Sequence, residues 1–540
     1  MVALTIVVSI LFSIFSTVVM SYLTMAIPIG PWIASTLVLL ALLLFKMFFG
    51  QNSSKYGKEI ALATAAGSVG GILANAHGFY FPTLYFLNSS LFNSWMQSPL
   101  YFCSIMTGLS FVGGSFGMII ANLLEDRFLI KEKLAFPIGV LAHKTIATQN
   151  KVRKSLELIG GFFSTIFFCL FQDGLRSFSG FIPKTIMLVR PMMLAVFKIP
   201  MVRLDLWPML WALGFVAGHV IALPLFVGVL AKILIASPLH ILVFKQLSSM
   251  EFLLTFSSGI VLFGAITGFI STPKVLLKSL KKLLTNGLFS KSSLSKKSIP
   301  LSLCIEVVVV LLSICSFLTY FEFSLLAQLY IIVFTFFCTY QISYIAGKIG
   351  LAFMGRFATF VMVPALFLFS LNNVQLVLFV TFVGLSGGVA TDILFGRKLG
   401  QLMNISSGRM KKYQFLGLLV SSLCVGIVFW FLINHFGLGS QDLFVYRAQN
   451  RWMLINTLRD LKGFNCYVLF LGSIFGYVLK KIKVSPMLAL GGLFMPVNIT
   501  LGLVVGGFVA MLTKDKEEYF PFWSGVYAAN SIWMLLKAIV

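Results

Sequence analysis

The sequence predicts an all-α polytopic membrane protein that is built from two related halves and contains broken helices. Hydrophobic residues make up 59% of the 540 positions and charged residues only 11%, which leaves more apolar surface than a soluble core can bury. Long apolar segments follow one another with short gaps between them. Two of these segments, 204–235 and 485–512, are long enough to cross a bilayer but contain glycine and proline residues that interrupt a helix.

The apolar segments account for roughly 14–16 transmembrane helices when each broken segment counts as one or two crossings. We expect the first segment to be a retained helix and not a signal peptide, because no lysine or arginine precedes it. The predicted crossings cover residues 2–25, 31–49, 60–80, 100–124, 156–175, 205–236, 251–270, 301–319, 325–345, 357–371, 374–390, 415–433, 464–480, 485–512 and 523–539.

A basic stretch divides the chain. Residues 271–298 contain lysines and no acidic residue, a pattern typical of a cytoplasmic loop. The sequence therefore predicts an N-terminal transmembrane half at 1–270, a basic cytoplasmic linker at 271–300 and a C-terminal transmembrane half at 301–540. The linker pattern fits an amphipathic surface helix and a solvated loop equally well.

The net charge of +25 indicates contact with the lipid bilayer. Lysines in loops that face anionic lipid explain this positive charge. The sequence contains no module of aromatic and basic residues that would bind nucleic acid. The seven cysteines form no C-x-x-C pair and the five histidines are scattered, so we predict no disulfide framework and no protein metal site. No phosphate loop or nucleotide motif occurs, and we expect no cofactor.

The two broken segments are the main evidence for related halves. Between Met209 and Ala231 the only ionisable side chain is His219, and Pro224 removes a backbone donor that lipid cannot replace. The second segment repeats the Pro-Met-Leu opening and has Pro496 near its middle. Paired broken helices of this kind mark binding sites in transporters built from repeats.

Two weaker echoes keep the same order along the chain. They match Ser21-Tyr22-Leu23 with Ser343-Tyr344-Ile345, and Gly113-Gly114 with Gly387-Gly388. Each match alone is at chance level, but together they favour a repeat.

Residues 109–145 contain a glycine-rich helix, a charged turn and then Phe136-Pro137-x-Gly139. This order resembles the oligopeptide transporter (OPT) family, whose common form is E-K-L-P-F-P-E-G-x-A. The turn that contains Lys398-x-Gly400 is similar to a second motif of that family, and the likeness covers nearly the whole chain. The resemblance implies a secondary active transporter that is driven by protons and carries peptides or metal complexes of small organic chelators.

Two positions depart from the family pattern. Ile138 stands where the family usually has an acid after Phe-Pro, and Asn530 stands where the last helix usually has an acid. If those carboxylates take part in proton coupling in relatives, coupling in this chain uses other groups or is altered.

Two histidines in apolar segments are candidates for substrate binding. His219 follows Gly218 in the first broken segment, and an unperturbed imidazole changes charge near neutral pH, so we also consider it for proton coupling. The alternative is an imidazole that only bonds a neighbouring helix. His77 lies among small residues, where it either lines a cavity or is packed as a structural histidine.

Three acids are further candidates for proton coupling. A charged side chain inside a membrane costs so much free energy that it usually has a function there. Asp173 is three residues before Arg176, and a local ion pair is the alternative. Glu306 opens an apolar run and can instead reach the interface. Asp392 follows a glycine-rich segment, and a helical salt bridge with Arg397 or Lys398 is its simpler explanation.

The second broken segment supplies the remaining predicted substrate contacts. They are the glycine pair, the proline and the two polar residues that follow it: Gly491, Gly492, Pro496, Asn498 and Thr500. Glycines of this kind either leave backbone groups free toward a cavity or allow close helix packing.

These features predict a multi-pass protein of the inner or plasma membrane that carries a small-molecule substrate, peptide or metal chelate, by proton-coupled symport with alternating access. A membrane-embedded transferase is a second reading, although the 16 acids are spread thinly instead of clustered. A channel or facilitator is a third. The sequence leaves the oligomeric state open, with a homodimer as one option.

Overall fold

The described parts of the chain form two compact units, and each unit combines segments from both predicted halves. Unit 1 contains Met1–Ser164, Ser302–Trp452 and Ser524–Val540, and unit 2 contains Thr165–Leu301 and Met453–Trp523. The computed structural model describes residues 2–26, 32–50, 55–147, 152–175, 178–189, 192–194, 197–199, 202–247, 249, 252–253, 255–257, 259–260, 263, 301–350, 352, 354–440, 443–459, 465–484, 486, 489, 492–493, 497–516 and 518–539.

Helices dominate both units. The first part of the chain contains α1 (Val2–Ala26), α2 (Ala34–Phe49), α3 (Gly57–Tyr80), α4 (Thr83–Leu87), α5 (Ser89–Gln97), α6 (Pro99–Glu125), α7 (Pro137–Ala147), α8 (Val152–Asp173), α9 (Pro208–Ala217), α10 (His219–Ala231) and α11 (Ser237–Leu242). The second part contains α12 (Leu301–Tyr320), α13 (Leu325–Ile349), α14 (Met354–Phe369), α15 (Asn373–Leu402), α16 (Ser407–Phe436), α17 (Tyr446–Arg459), α18 (Cys466–Lys481), α19 (Val497–Leu512) and α20 (Phe520–Ile539). Single π-helical segments follow α6 at Asp126–Lys131 and α10 at Lys232–Ala236.

The core of unit 1 is formed by α3 and α15, which pack against each other. The most apolar 18-residue window of each helix is entirely buried inside the protein. Small residues make this burial feasible, because a Cβ on Gly70 would meet Ser13 and Ser16 of α1, and one on Gly117 of α6 would meet Ser386 of α15. Both helices are therefore enclosed by other helices.

The helices around α3 and α15 repeat one packing pattern. Helices α1, α2 and α16 pack on α3, and α13, α14 and α6 pack on α15. The pattern pairs α1 with α13, α2 with α14, α3 with α15 and α6 with α16. This arrangement places Ser21 and Ser343 on helices with the same position in the pattern, and the relation between the two halves stays a prediction.

The second predicted echo behaves differently. Gly113 lies on α6 and Gly387 on α15, and these helices contact each other instead of being paired by the pattern. The two glycine pairs therefore do not occupy equivalent places in this packing pattern.

Unit 2 contains both broken segments. The first breaks at Gly218, whose φ of +69° lies in a region that glycine adopts readily, and not at Pro224, which stays inside α10. In the second, α19 begins at Val497, directly after Pro496, which lies outside the described residues. A proline before a helix is compatible with its start, because the first helical amides need no partner in the helix.

The segment between α8 and α9 adds short strands that the sequence analysis does not predict. Strand β1 (Gly174–Leu175) pairs with β2 (Phe178–Ser179), β3 (Thr185–Val189) with β6 (Val202–Asp205), and β4 (Met192–Leu194) with β5 (Phe197–Ile199), all antiparallel. Thr185, Ile186 and Val189 favour strands because they are β-branched. The protein is thus an all-α membrane protein with a small β-element between α8 and α9.

By length and composition, eight described helices can cross a membrane, and four shorter apolar helices accompany them. This agrees with the predicted polytopic class. Most of the predicted crossing at 251–270 and the basic linker at 271–300 lie outside the described residues. The division into halves at the linker stays a prediction.

Candidate functional site

A buried carboxyl lies where the two central helices of unit 1 meet. Asp392 of α15 is 2% exposed, and its Oδ2 accepts a hydrogen bond of 2.8 Å from the Ser68 hydroxyl of α3. The predicted salt bridge between Asp392 and Arg397 is not among the ion pairs of the described residues. Arg397 pairs with Glu125 instead. A carboxylate there is held by one hydroxyl, and its charged form is costly away from water.

Neighbouring contacts continue this polar core. Thr391 lies 3.2 Å from the Ser343 hydroxyl of α13. On α3, His77 is fully buried, and its Nε2 lies 2.6 Å from the Ser110 hydroxyl of α6. Its Nδ1 has no hydrogen-bond partner within the described chain. His77 therefore has the surroundings of a packed histidine but keeps one free ring nitrogen.

A charged network joins α6, α15 and α16 near the ends of these helices. Arg397, 1% exposed in its side chain, pairs with Glu125 through Nη1. Its Nη2 donates to Asn122 Oδ1 at 2.9 Å and its Nε to Gln414 Oε1 at 2.7 Å. Glu125 also accepts a 2.7 Å hydrogen bond from the Ser407 hydroxyl. The buried guanidinium is thus satisfied on every nitrogen, as a buried charge requires.

The Phe-Pro motif fixes the start of α7 against this core. Phe136 is fully buried with a positive φ of 45°, and its amide donates to the Gly347 carbonyl at 2.8 Å. The Pro137 ring is the nearest contact for a Cβ on Gly350. A Cβ on Gly139 would meet the backbone of α15 and the Lys398 side chain. These motif residues act in packing.

The second motif turns the chain between α15 and α16. The Gly400 carbonyl accepts a 2.8 Å hydrogen bond from the Ile405 amide, and a Cβ on Gly400 would meet the Met410 side chain. Lys398 directs its amine to Gln401 at 3.5 Å on the exposed side. Of the two altered positions, Ile138 is half-buried and Asn530 is 1% exposed.

In unit 2, the predicted polar residues lie next to a carboxylate that the sequence analysis does not single out. The Asn498 amide donates to Asp205 Oδ2 at 2.8 Å, and Thr500 is fully buried two residues later. Asp205 ends β6, although the predicted crossing 205–236 begins at this residue, and it lies outside the helices that are long enough to cross a membrane. Burial raises its pKa above the ordinary value, and the Asn498 hydrogen bond opposes that shift.

The described parts of the two broken segments meet by close packing, which is one of the two roles that the sequence allows for the glycines of the second segment. A Cβ on Gly492 would meet the backbone of α10 at Leu225 and Gly228, and one on Gly506 would meet the backbone of α9 at Trp211. Two helix backbones approach this closely only where a glycine leaves out the side chain. Gly491 and Pro496 lie outside the described residues, and their binding role stays a prediction.

The other predicted residues of unit 2 are exposed or half-buried. His219 is the exposed first residue of α10, next to the positive-φ Gly218. Asp173 pairs with Lys184 at 3.2 Å, while Arg176 lies outside the described residues. A cleft of about 520 Å³ in this unit has Phe215, Asp515 and Trp523 among its lining residues, and none of the predicted site residues lines it. In unit 1, Glu306 is exposed on α12.

The structure thus brings Asp392 together with Ser68, a partner that sequence analysis misses. Ser68 is indistinguishable in sequence from the other serines in buried helices. A pair of arginines one helical turn apart, Arg447 and Arg451, is also missed, although like charges at that spacing are unfavourable and so are a detectable signal.

Comparison with known proteins gives one whole-chain match. The family model described as OPT oligopeptide transporter protein matches residues 3–529. No curated protein matched the chain significantly.

Proposed function

Because the chain belongs to the OPT oligopeptide transporter family, and is therefore a multi-pass membrane transporter, we propose that it is a proton-coupled symporter. Its cargo in this proposal is an oligopeptide or a metal complex of a small organic chelator. It moves the cargo across an inner or plasma membrane by alternating access, with any metal held inside the chelator.

The observation that supports proton coupling is the carboxyl of Asp392. It lies in a helix that is long enough to cross a membrane, and it is enclosed by other helices. A charged carboxylate there has one described partner, the Ser68 hydroxyl, so binding a proton removes a costly buried charge. A change in packing between α3 and α15 would expose or enclose this group, which links proton binding to the state of the transporter.

The usual acids of the family at the Phe-Pro turn and in the last helix are absent here. Ile138 and Asn530 carry no charge, so the coupling proton in this proposal binds elsewhere. Asp392 is the most buried of the three acids proposed for coupling. Asp173 is half-buried and paired with Lys184, and Glu306 is exposed.

The test is uptake by the full chain in proteoliposomes with an imposed pH gradient. We expect trialanine or a ferric chelate to accumulate against its concentration gradient, and a protonophore to abolish the accumulation. Downhill flux that ignores the pH gradient would favour a channel or facilitator. Absence of any flux, together with chemical conversion of the added compound, would favour a membrane-embedded transferase.

A further inference from the structure

Two arginines of α17 lie against the C-terminal end of α3 in unit 1. The Arg447 Cζ is 3.8 Å from the centre of the Phe79 ring, and the Arg451 Cζ is 4.2 Å from the centre of the Tyr80 ring. Arg451 is 9% exposed and donates from Nη1 to the Phe79 carbonyl at 3.1 Å. Both guanidiniums are therefore directed at the same end of α3.

Packing on both sides of the arginines holds α17 in this position. The Val445 amide, one residue before the helix, donates to the Met25 carbonyl at 2.8 Å. Ala448 and Ile455 are fully buried, and the Trp452 ring lies 6.0 Å from the Phe86 ring. The arginines are thus placed by their neighbours on the same helix.

The described residues compensate the positive charge of Arg451 only in part. Two like charges four residues apart repel each other. No ion pair of the described residues includes Arg451. The Tyr80 ring face and the carbonyl end of α3 attract Arg451 but bring no full negative charge.

Two polar atoms beside each other also lack a well-formed hydrogen bond. Within the described chain, the buried Nε of Arg451 and the buried hydroxyl of Tyr80 have no partner of acceptable geometry, although the Arg451 and Tyr80 side chains lie within hydrogen-bonding reach of each other. Buried groups of this kind are normally paired, and an unpaired one calls for an explanation. A bound acceptor would pair both groups.

The remaining surroundings also suit an anion. Arg447 is half-buried, so the cluster reaches the surface of the described chain on its side. Gly355, in the first turn of α14, lies beside it: a Cβ built there would be 3.9 Å from Arg447 Nη1 and would touch no other side chain. The first turn of a helix has free amide groups and a partial positive charge. Burial lowers the pKa of both arginines to about 10, so both keep their charge at neutral pH.

We propose that Arg447, Arg451 and the Tyr80 hydroxyl form a binding site for a carboxylate group of the transported molecule. This inference rests on the proposed function and specifies its substrate class. A guanidinium binds a carboxylate through two parallel hydrogen bonds, which a lysine amine does not reproduce. A free peptide C-terminus and a carboxylate chelator share this group, so the site serves both proposed kinds of cargo.

The test compares trialanine with its C-terminal amide, using calorimetric binding to the purified full chain. We expect the wild-type protein to bind the free acid roughly 10- to 100-fold more tightly than the amide, as a charge-assisted hydrogen bond of this kind provides. Arg451→Gln lowers the affinity for the acid to that for the amide. Arg451→Lys gives an intermediate affinity, and Arg409→Gln, which changes a half-buried arginine of the same unit that pairs with Glu59, keeps the wild-type preference.

A measurement without ligand separates binding from folding. Loss of an uncompensated buried cation leaves the thermal midpoint of Arg451→Gln at or above that of the wild type, whereas a purely structural arginine would give a lower midpoint. That lower midpoint, with an unchanged preference for the acid, would overturn the proposal.

The outcomes also separate this site from the proposed function. Equal affinity of the wild type for acid and amide overturns the carboxylate site and leaves peptide transport intact. If neither peptide binds or is transported, the proposal of peptide transport fails. Binding of citrate then tests the carboxylate site. Saturable citrate binding that Arg451→Gln abolishes supports the site, and its absence overturns it.

Discussion

Single residues decide the electrostatics of unit 1. Arg397 is buried with each guanidinium nitrogen bonded, whereas Asp392 is buried with a single hydroxyl partner. The hydrogen bonds of Arg397 hold three helices together. The Asp392 carboxyl, with one hydroxyl partner, is able to gain or lose a proton. The sequence gives no sign of this difference, because each residue is only a charge in an apolar run.

The Arg397 network predicts an asymmetric loss of stability. Glu125→Gln leaves Arg397 as a buried charge without its carboxylate and costs roughly 3–5 kcal/mol. Arg397→Gln costs less, because Glu125 keeps the Ser407 hydroxyl and lies 3.8 Å from the Lys411 amine. Thermal unfolding of the two variants in detergent measures the difference. Equal losses would show that the network does not behave as an ion pair.

Asp205 predicts a pH dependence in unit 2. Its carboxyl has a pKa above 3.8 in the folded protein, so the folded state holds a proton that the unfolded chain has already lost. The free energy of unfolding therefore falls as the pH rises from 3.8 toward the raised pKa of Asp205. Asp205→Asn removes this group and keeps an acceptor for Asn498.

The thermal midpoint of Asp205→Asn should therefore fall less than that of the wild type as the pH is raised from about 4 to about 7. The exposed residue Asp515 supplies the control, since Asp515→Asn should follow the wild-type curve. A wild-type slope in Asp205→Asn would contradict the assignment.

At the scale of elements, bilayer length and backbone chemistry make much of the fold predictable. A chain in lipid must satisfy its backbone groups within each segment, so long apolar runs predict helices. Helices α1 and α6 lie where they are predicted, whereas α15 and α16 extend beyond the predicted 374–390 and 415–433. The position of a break is less predictable. Pro224 is tolerated inside α10, while Gly218 takes the positive φ at which the helix ends. The strands between α8 and α9 are missed because that segment is treated only as a connection.

Close packing of the broken segments predicts a steric effect. A Cβ on Gly228 of α10 would meet the backbone of Ala489 and Gly492, which cannot move aside as a flexible side chain can. Gly228→Ala should cost roughly 1–3 kcal/mol through overpacking.

Gly160 is the matched control for that substitution. It is an exposed glycine inside α8, and a Cβ there would meet nothing within 4 Å. Gly160→Ala should stabilise the protein by up to about 1 kcal/mol, since alanine favours helices. Thermal unfolding of both variants compares them, and a neutral Gly228→Ala would mean that the two segments are not packed as described.

At the scale of the whole molecule, composition and motifs predict the class and the family, and contacts between distant segments supply the candidate site. Ser68 and Asp392 are 324 residues apart in the chain, and no spacing rule predicts that they meet. They meet because α3 and α15 pack against each other at the core of unit 1. Arg451 and Phe79 meet over 372 residues in the same way.

The claim on which this account depends is that the Asp392 carboxyl couples proton movement to cargo movement. The direct measurement uses proteoliposomes that contain a pH-sensitive dye and receive an inward gradient of trialanine. The wild type should acidify the interior as peptide enters, and Asp515→Asn should match it. Asp392→Asn should admit peptide down its gradient without acidification. Acidification by Asp392→Asn at the wild-type rate would contradict the account.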